Sequence, residues 1–162
     1  MKIRLQTLLP AVIFAIFPAL ISCNSHVKEV RVISDTARSF LESFYTCEFE
    51  TASELCSESG VAEVRWFASN LSEEELSLVV RRPKIETGAV EINHSDASSK
   101  SGKEMSEPSD EVSNSEIAVV SFEADDVLVV DSLEKAGYIG HSSGKVMLKK
   151  KGQKWLVTGL EW

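Results

Sequence analysis

The sequence has few of the residues that build metal centres or nucleic-acid surfaces. It holds only three cysteines and three histidines among 162 residues. None of the histidines, which are His26, His94 and His141, stands in a metal-binding spacing with another potential ligand. Lys and Arg number 17 against 25 acidic residues, which gives a net charge of −8. From the histidine spacing we predict no metal, and we predict no other cofactor. Because an acidic surface repels phosphate, we also predict no nucleic-acid partner.

Long apolar runs are also missing, with one exception at the N-terminus. Lys2 and Arg4 precede a nearly continuous apolar segment from Leu5 to Ile21. It is somewhat shorter than the roughly 20 residues that a membrane-spanning helix needs. The segment also contains prolines, and a small residue, Ser22, follows it directly. These features are typical of a cleaved export signal.

The end of this segment, Leu20-Ile21-Ser22-Cys23, resembles the bacterial lipobox. The resemblance implies that residues 1–22 are a lipoprotein signal peptide and that Cys23 carries the lipid, with residues 23–29 as a tether. Asn24 in place of Asp implies the outer membrane of a Gram-negative envelope. An ordinary secretory signal with a chance cysteine, and an uncleaved anchor, are the alternatives. The remaining acidic chain would be repelled by anionic lipid heads, so its membrane contact should be the lipid itself.

The first half of the mature chain has helical periodicity. Apolar residues from Ile33 to Phe44 recur at helical spacing, which predicts a helix from Ser34, or slightly earlier, to near Cys47. A capping-box pattern at Thr51 and Glu54 predicts a second helix. A third follows over Val61 to Leu71. A second capping box, Ser72 with Glu75, opens a fourth that ends before Pro83.

The second half has the alternation of strands. Strands are predicted over residues 85–94 and 117–122, the second continuing to 130 through a bend at Asp125-Asp126. Residues 145–150 and 154–162 flank Lys151-Gly152-Gln153, which predicts a hairpin. Residues 95–115 are rich in Ser, Glu, Asp and Lys. We predict that they form a flexible, dispensable insertion between the first two strands.

Cys47 and Cys56 lie on either side of the junction between the first two predicted helices. An even pair of cysteines in an exported domain predicts a disulfide bond. Their nine-residue separation allows the chain to double back far enough for one. Two small buried apolar side chains are the competing interpretation.

Three segments carry a resemblance to a known family: residues 37–45, residues 47–56, and the closing hairpin with its Gly-x-x-Trp pattern at Gly152 and Trp155. They resemble the nuclear transport factor 2-like superfamily (cystatin-like or ketosteroid-isomerase-like cones), in its small bacterial lipoprotein branch. The resemblance implies a single α+β domain over residues 30–162. N-terminal helices would pack in the concave face of a curved antiparallel sheet.

Enzymes of this superfamily carry an Asp, or a His-Asp pair, inside the cone. Here Asp125 and Asp126 are the only adjacent acids in the predicted strands, and they are expected to face solvent. The segment Gly140 to Lys145 does not meet the spacing of a phosphate loop. We therefore expect no catalytic residue.

A set of large aromatic residues remains, which either fills the core or lines an apolar pocket with the Tyr45 hydroxyl as its polar anchor. The set is Phe44, Tyr45, Trp66, Phe67 and Phe122. We expect a non-catalytic lipoprotein that binds a small apolar ligand or another envelope protein. The alternatives are a small acid–base enzyme of the isomerase or dehydratase kind, and an inhibitor or immunity-type lipoprotein.

Lipidation at Cys23 is directly testable. The intact mass of membrane-extracted protein should equal that of residues 23–162 plus acyl chains, and Cys23→Ser should accumulate as an unprocessed precursor. Soluble, unlipidated mature protein in the wild type would contradict the assignment.

Overall fold

The computed structural model describes residues 9–94, 116–130 and 137–162, with side chains from residue 25 onward except that of His94. These ranges contain four helices, α1 (Leu9–Tyr45), α2 (Phe49–Glu54), α3 (Glu58–Asn70) and α4 (Glu73–Leu78). They also contain four strands, β1 (Lys84–His94), β2 (Glu116–Val129), β3 (Tyr138–Lys151) and β4 (Lys154–Glu161). The strands pair antiparallel in the order β1-β2-β3-β4 as a curved, unclosed sheet, which confirms the α+β class.

The chain divides into two compact units, residues 1–32 and 33–162. The expected helix start near Ser34 is wrong, because α1 begins at Leu9 and is helical through the predicted tether. No Gly or Pro lies between Ala19 and Tyr45 to end it. Among the described residues, no helix combines the length and apolar character needed to cross a membrane.

Local sequence signals place the three short helices with mixed success. The predicted second helix is shifted, since α2 ends at Glu54, and Thr51 lies inside it rather than capping it. Ser57 caps α3 by accepting a hydrogen bond from the Gly60 N–H. The predicted capping box of Ser72 and Glu75 is confirmed at the start of α4.

The core of the second unit lies between the helices and one face of the sheet. From α1 onward, residues at helical spacing are buried, and they meet alternate residues of β2, β3 and β4. The helical members are Ile33, Ala37, Phe40, Leu41, Phe44, Tyr45, Ala52 and Val64. The strand members are Ala118, Val120, Phe122, Ala124, Val127, Val146, Leu148, Trp155, Val157 and Leu160.

The predicted bend in β2 is a β-bulge. The register with β3 shifts between Ala124 and Val127, and Asp126 adopts a left-handed φ of 59°. The bulge directs the side chains of Asp125 and Asp126 to the exposed side of the sheet, with 61% and 55% of each exposed. β1 pairs with β2 from His94 and Glu116 inward, a pairing that the sequence left open. The predicted insertion, residues 95–115, lies outside the described residues.

β3 begins at Tyr138, earlier than predicted, so the segment Gly140 to Lys145 is strand. A Cβ atom at Gly144 would collide with the carbonyl oxygen of Glu161, so the end of the chain lies directly against this strand. The predicted hairpin closes between β3 and β4, and Gly152 supplies the positive φ of 64° that its turn requires.

Candidate functional site

A cavity of about 600 Å³ opens where the last turn of α1, one face of α3 and the adjoining ends of β2 and β3 meet. Glu63, Trp66, Phe67 and Asn70 of α3 are three or four residues apart, which places them on one side of the helix. All the lining residues belong to the second unit. The lining residues are Phe44, Tyr45, Glu63, Trp66, Phe67, Asn70, Leu71, Leu128, Val129, Val130, Tyr138, His141, Ser142, Ser143 and Trp162.

The predicted pocket residues are largely brought together here. Phe44, Tyr45, Trp66 and Phe67 line the cavity, but Phe122 does not. Phe122 is buried, with its ring centroid 6.3 Å from that of Tyr45. Its alternation along β2 directs it into the core rather than to the cavity wall.

The aromatic rings of the wall contact one another. The Phe44 centroid lies 4.7 Å from that of Phe67 and 5.9 Å from that of Trp162. Trp162 lies 6.4 Å from Phe67 and 6.5 Å from Tyr45. Trp66 and Trp162 remain 58% and 61% exposed, so their rings still have open surface.

Tyr45 provides the polar group that the sequence predicted. Its hydroxyl donates a hydrogen bond to Ser142 Oγ at 2.9 Å, across the cavity wall from α1 to β3. Burial raises the pKa of Tyr45 to about 12, although the Ser142 bond opposes the shift. The phenol therefore stays neutral at physiological pH.

Glu63 was missed by sequence reasoning, which expected no carboxylate in the cavity. Both of its carboxylate oxygens lie 3.3 Å from the Leu160 backbone N–H, which donates to them. Desolvation raises the pKa of Glu63, and the Leu160 hydrogen bond opposes that shift. Its spacing of three and four residues from Trp66 and Phe67 is the signal that would have placed it on the aromatic face of α3.

His141 stands in no metal-binding spacing in the sequence, but the structure pairs it with a carboxylate. Its Nδ1 lies 2.8 Å from Asp125 Oδ1, although both side chains are more than half exposed. His141 also lines the cavity. Asp126 pairs with Lys84 at 3.3 Å. The expectation that both aspartates face solvent is confirmed, but the bulge places one of them beside a cavity residue.

The charge of the cavity wall is one-sided. Its fifteen residues include Glu63 and His141 but neither Lys nor Arg. Among the described residues, no group of three or more His, Cys, Asp or Glu side chains could hold a metal ion.

The cysteines lie outside the cavity wall. Cys47 and Cys56 are free thiols in the structure, so the predicted disulfide is not formed in it and stays a prediction. Cys56 Sγ donates to the Ala52 carbonyl oxygen at 3.3 Å. It also lies beside Gly60, where a Cβ would be 3.2 Å from the sulfur. The side chain of Cys23 is outside the described part of the structure, and its lipidation likewise stays a prediction.

No family model, no curated protein and no solved structure matches the chain.

The free thiols of the reduced, folded protein should react slowly. Burial raises the pKa of Cys47 to about 11, and burial with the nearby Glu63 charge raises that of Cys56 to about 11. At about pH 8 their thiolate fraction, and so their alkylation rate, should be about a hundredfold below that of an ordinary cysteine. Mass spectrometry after timed iodoacetamide treatment measures the rate.

Denaturation should restore rapid alkylation at both positions. Rapid reaction in the folded state would contradict the burial of the thiols. The unreduced protein serves as the second arm, because a disulfide between Cys47 and Cys56 would leave neither residue alkylated until a reductant is added.

Proposed function

We propose that this chain is a lipid-anchored envelope protein whose domain binds a small apolar ligand without transforming it. The observation that carries the proposal is the cavity of about 600 Å³ walled by Phe44, Tyr45, Trp66, Phe67 and Trp162. Ligand sites are typically concave and apolar, with few polar groups to orient the ligand. Here Tyr45, Ser142 and Glu63 are such groups.

We also propose membership of the nuclear transport factor 2-like superfamily. A long first helix, shorter helices after it and a four-stranded antiparallel sheet support this assignment. So does the closing hairpin with Gly152 and Trp155. Cones of this kind hold their sites between the helices and the sheet, where this cavity lies.

The anchor and location complete the proposal. Cys23 after an export signal supports attachment to the membrane through lipid, with Asn24 favouring the outer membrane of a Gram-negative cell. The net charge of −8 supports a domain held off anionic lipid heads. Such a domain would be free to meet an apolar small molecule or another envelope protein.

An acid–base enzyme is the second candidate, because Glu63 and His141 both face the cavity. A carboxyl group with a raised pKa is suited to proton transfer. Against this candidate, the pair of His141 with Asp125 lies at the rim with both side chains more than half exposed, and the Leu160 N–H donates to Glu63.

Ligand binding can be tested with para-trifluoromethylbenzyl alcohol, a neutral aromatic probe followed by fluorine NMR. The full-length protein in dodecyl maltoside should bind it saturably above the partition into empty micelles. Phe67→Ala should weaken binding about tenfold, corresponding to roughly 1.4 kcal/mol of lost contact. Ile92→Ala is the matched control, because Ile92 is also a partly buried core neighbour but does not line the cavity.

Absence of saturable binding, or equal loss in both variants, would contradict the proposed function. The enzyme candidate has a separate signature. If His141→Asn retained probe binding yet reproduced the cellular phenotype of a gene deletion, the enzyme would become the better assignment, because His141 has a role only in the acid–base candidate.

A further inference from the structure

We propose that the cavity selects ligands that carry a small ammonium head group, primary to quaternary, on an apolar body. This inference rests on the proposed function and names the class of ligand. It depends on the juxtaposition of Glu63 with the aromatic rings of Phe44, Phe67, Trp66 and Trp162.

The charge balance of the wall favours a cation. Glu63 is its one acidic side chain, and neither Lys nor Arg accompanies it among the fifteen lining residues. The other ionisable group that becomes positive, His141, already faces the carboxylate of Asp125 at 2.8 Å. Its positive charge would be offset by that partner, so Glu63 gives the wall a negative bias.

Glu63 also has unused capacity as an acceptor. Among the described residues its hydrogen bonds come from a single N–H, that of Leu160, at 3.3 Å to each oxygen. An ionised carboxylate has about four lone-pair sites. A cation entering the cavity would stabilise the charge of the carboxylate in place of the solvation that partial burial has removed.

The rings supply the second attraction. A cation within about 6 Å of an aromatic face is attracted by the ring quadrupole, more strongly where water is excluded. Trp binds cations best among the aromatic residues and occurs twice in the wall. Both residues, Trp66 and Trp162, are more than half exposed. The buried ring of Phe44 and the partly buried ring of Phe67, 4.7 Å apart, form the apolar floor of the cavity.

Quaternary ammonium ligands are recognised by groups of aromatic rings, and here a carboxylate lines the same cavity as the rings and adds a charge of opposite sign. A neutral apolar ligand would gain the same burial but nothing from Glu63. An anionic ligand of equal size would meet the carboxylate and lose affinity. The order of affinity is therefore predicted to be cation, then neutral, then anion.

Three probes with a common body test this order on the full-length protein in dodecyl maltoside. They are para-trifluoromethylbenzyltrimethylammonium, the neutral benzyl alcohol used above, and para-trifluoromethylbenzoate. Fluorine NMR titration should give a dissociation constant for the cation about tenfold below that of the alcohol, with the benzoate weakest.

Two variants locate the selectivity. Glu63→Gln keeps an oxygen acceptor for the Leu160 N–H and should remove most of the cation's advantage while leaving the alcohol unchanged. Glu58→Gln is the matched control, because it removes the same charge from the exposed first turn of α3 outside the cavity. Trp66→Leu replaces an exposed ring by an apolar side chain and should weaken the cation more than the alcohol.

The outcomes separate the two proposals. If the cation and the alcohol bound equally, or Glu58→Gln acted like Glu63→Gln, the ammonium inference would be overturned and the apolar site would stand. If none of the probes bound saturably, both proposals would be wrong. Selectivity lost only in Glu63→Gln and Trp66→Leu supports the inference.

Discussion

The rest of the domain depends on the contacts of one side chain, Phe44, in the last turn of α1. These contacts join α1 to the other helices and to the end of the sheet. Phe44 is buried, with 3% of its surface exposed. Its ring meets Phe40 and Tyr45 of the same helix, at 5.7 and 5.5 Å, and Phe49 of α2 at 6.1 Å. It also meets Phe67 of α3 at 4.7 Å and Trp162 at the end of β4 at 5.9 Å. Aromatic pairs at such separations add attraction beyond the area they bury.

The same contacts define the cavity. Phe44 contacts Phe67 of α3 and Trp162, and all three residues line the cavity. The sheet closes the other side, where Tyr45 is tied to Ser142 at 2.9 Å. One buried ring thus links the stability of the helical layer to the shape of the proposed ligand site.

Much of the fold could be predicted from sequence because its signals are local and periodic. The helical spacing from Ile33 to Phe44, the capping box at Ser72 and the turn at Gly152 each depend on nearby residues alone. The prediction at Thr51 was wrong because it also used nearby residues alone. The sequence matches a capping box there, but Thr51 lies inside α2. The start of α1 was missed because no local signal distinguishes a tether from a continued helix.

The site was predicted only in part, because it depends on tertiary placement. Aromatic size pointed to Phe44, Tyr45, Trp66 and Phe67, but the direction of Phe122 was set by strand register. The pairing of His141 with Asp125 joins two strands through the register shift that follows Ala124, which sequence alone does not give. The position of Glu63 in the site depends on the contact between α3 and β4, where the Leu160 N–H donates to its carboxylate, and the sequence does not give that contact.

A carboxylate in an apolar wall can act as a proton acceptor or as a fixed counter-charge. The difference lies in the groups around it. A proton-transfer site needs an acid or base within reach of the reacting atom inside the cavity. The pair of His141 with Asp125 lies instead at the rim, where both side chains are more than half exposed. Rings with open surface line the same cavity as Glu63, and this favours a binding role for the cavity.

The most direct test of this account compares Phe44→Leu with Phe40→Leu. Both residues are buried in the same helix, but Phe44 lines the cavity and contacts five rings, whereas Phe40 does neither. Urea unfolding and probe titration would be measured on both variants. Phe40→Leu should lose about 1–2 kcal/mol of stability, and Phe44→Leu should lose more, because only Phe44 contacts rings of α2, α3 and Trp162. Only Phe44→Leu should also lose affinity for the aromatic probes. Equal affinity in the two variants would contradict the claim that this ring both holds the helices together and shapes the site.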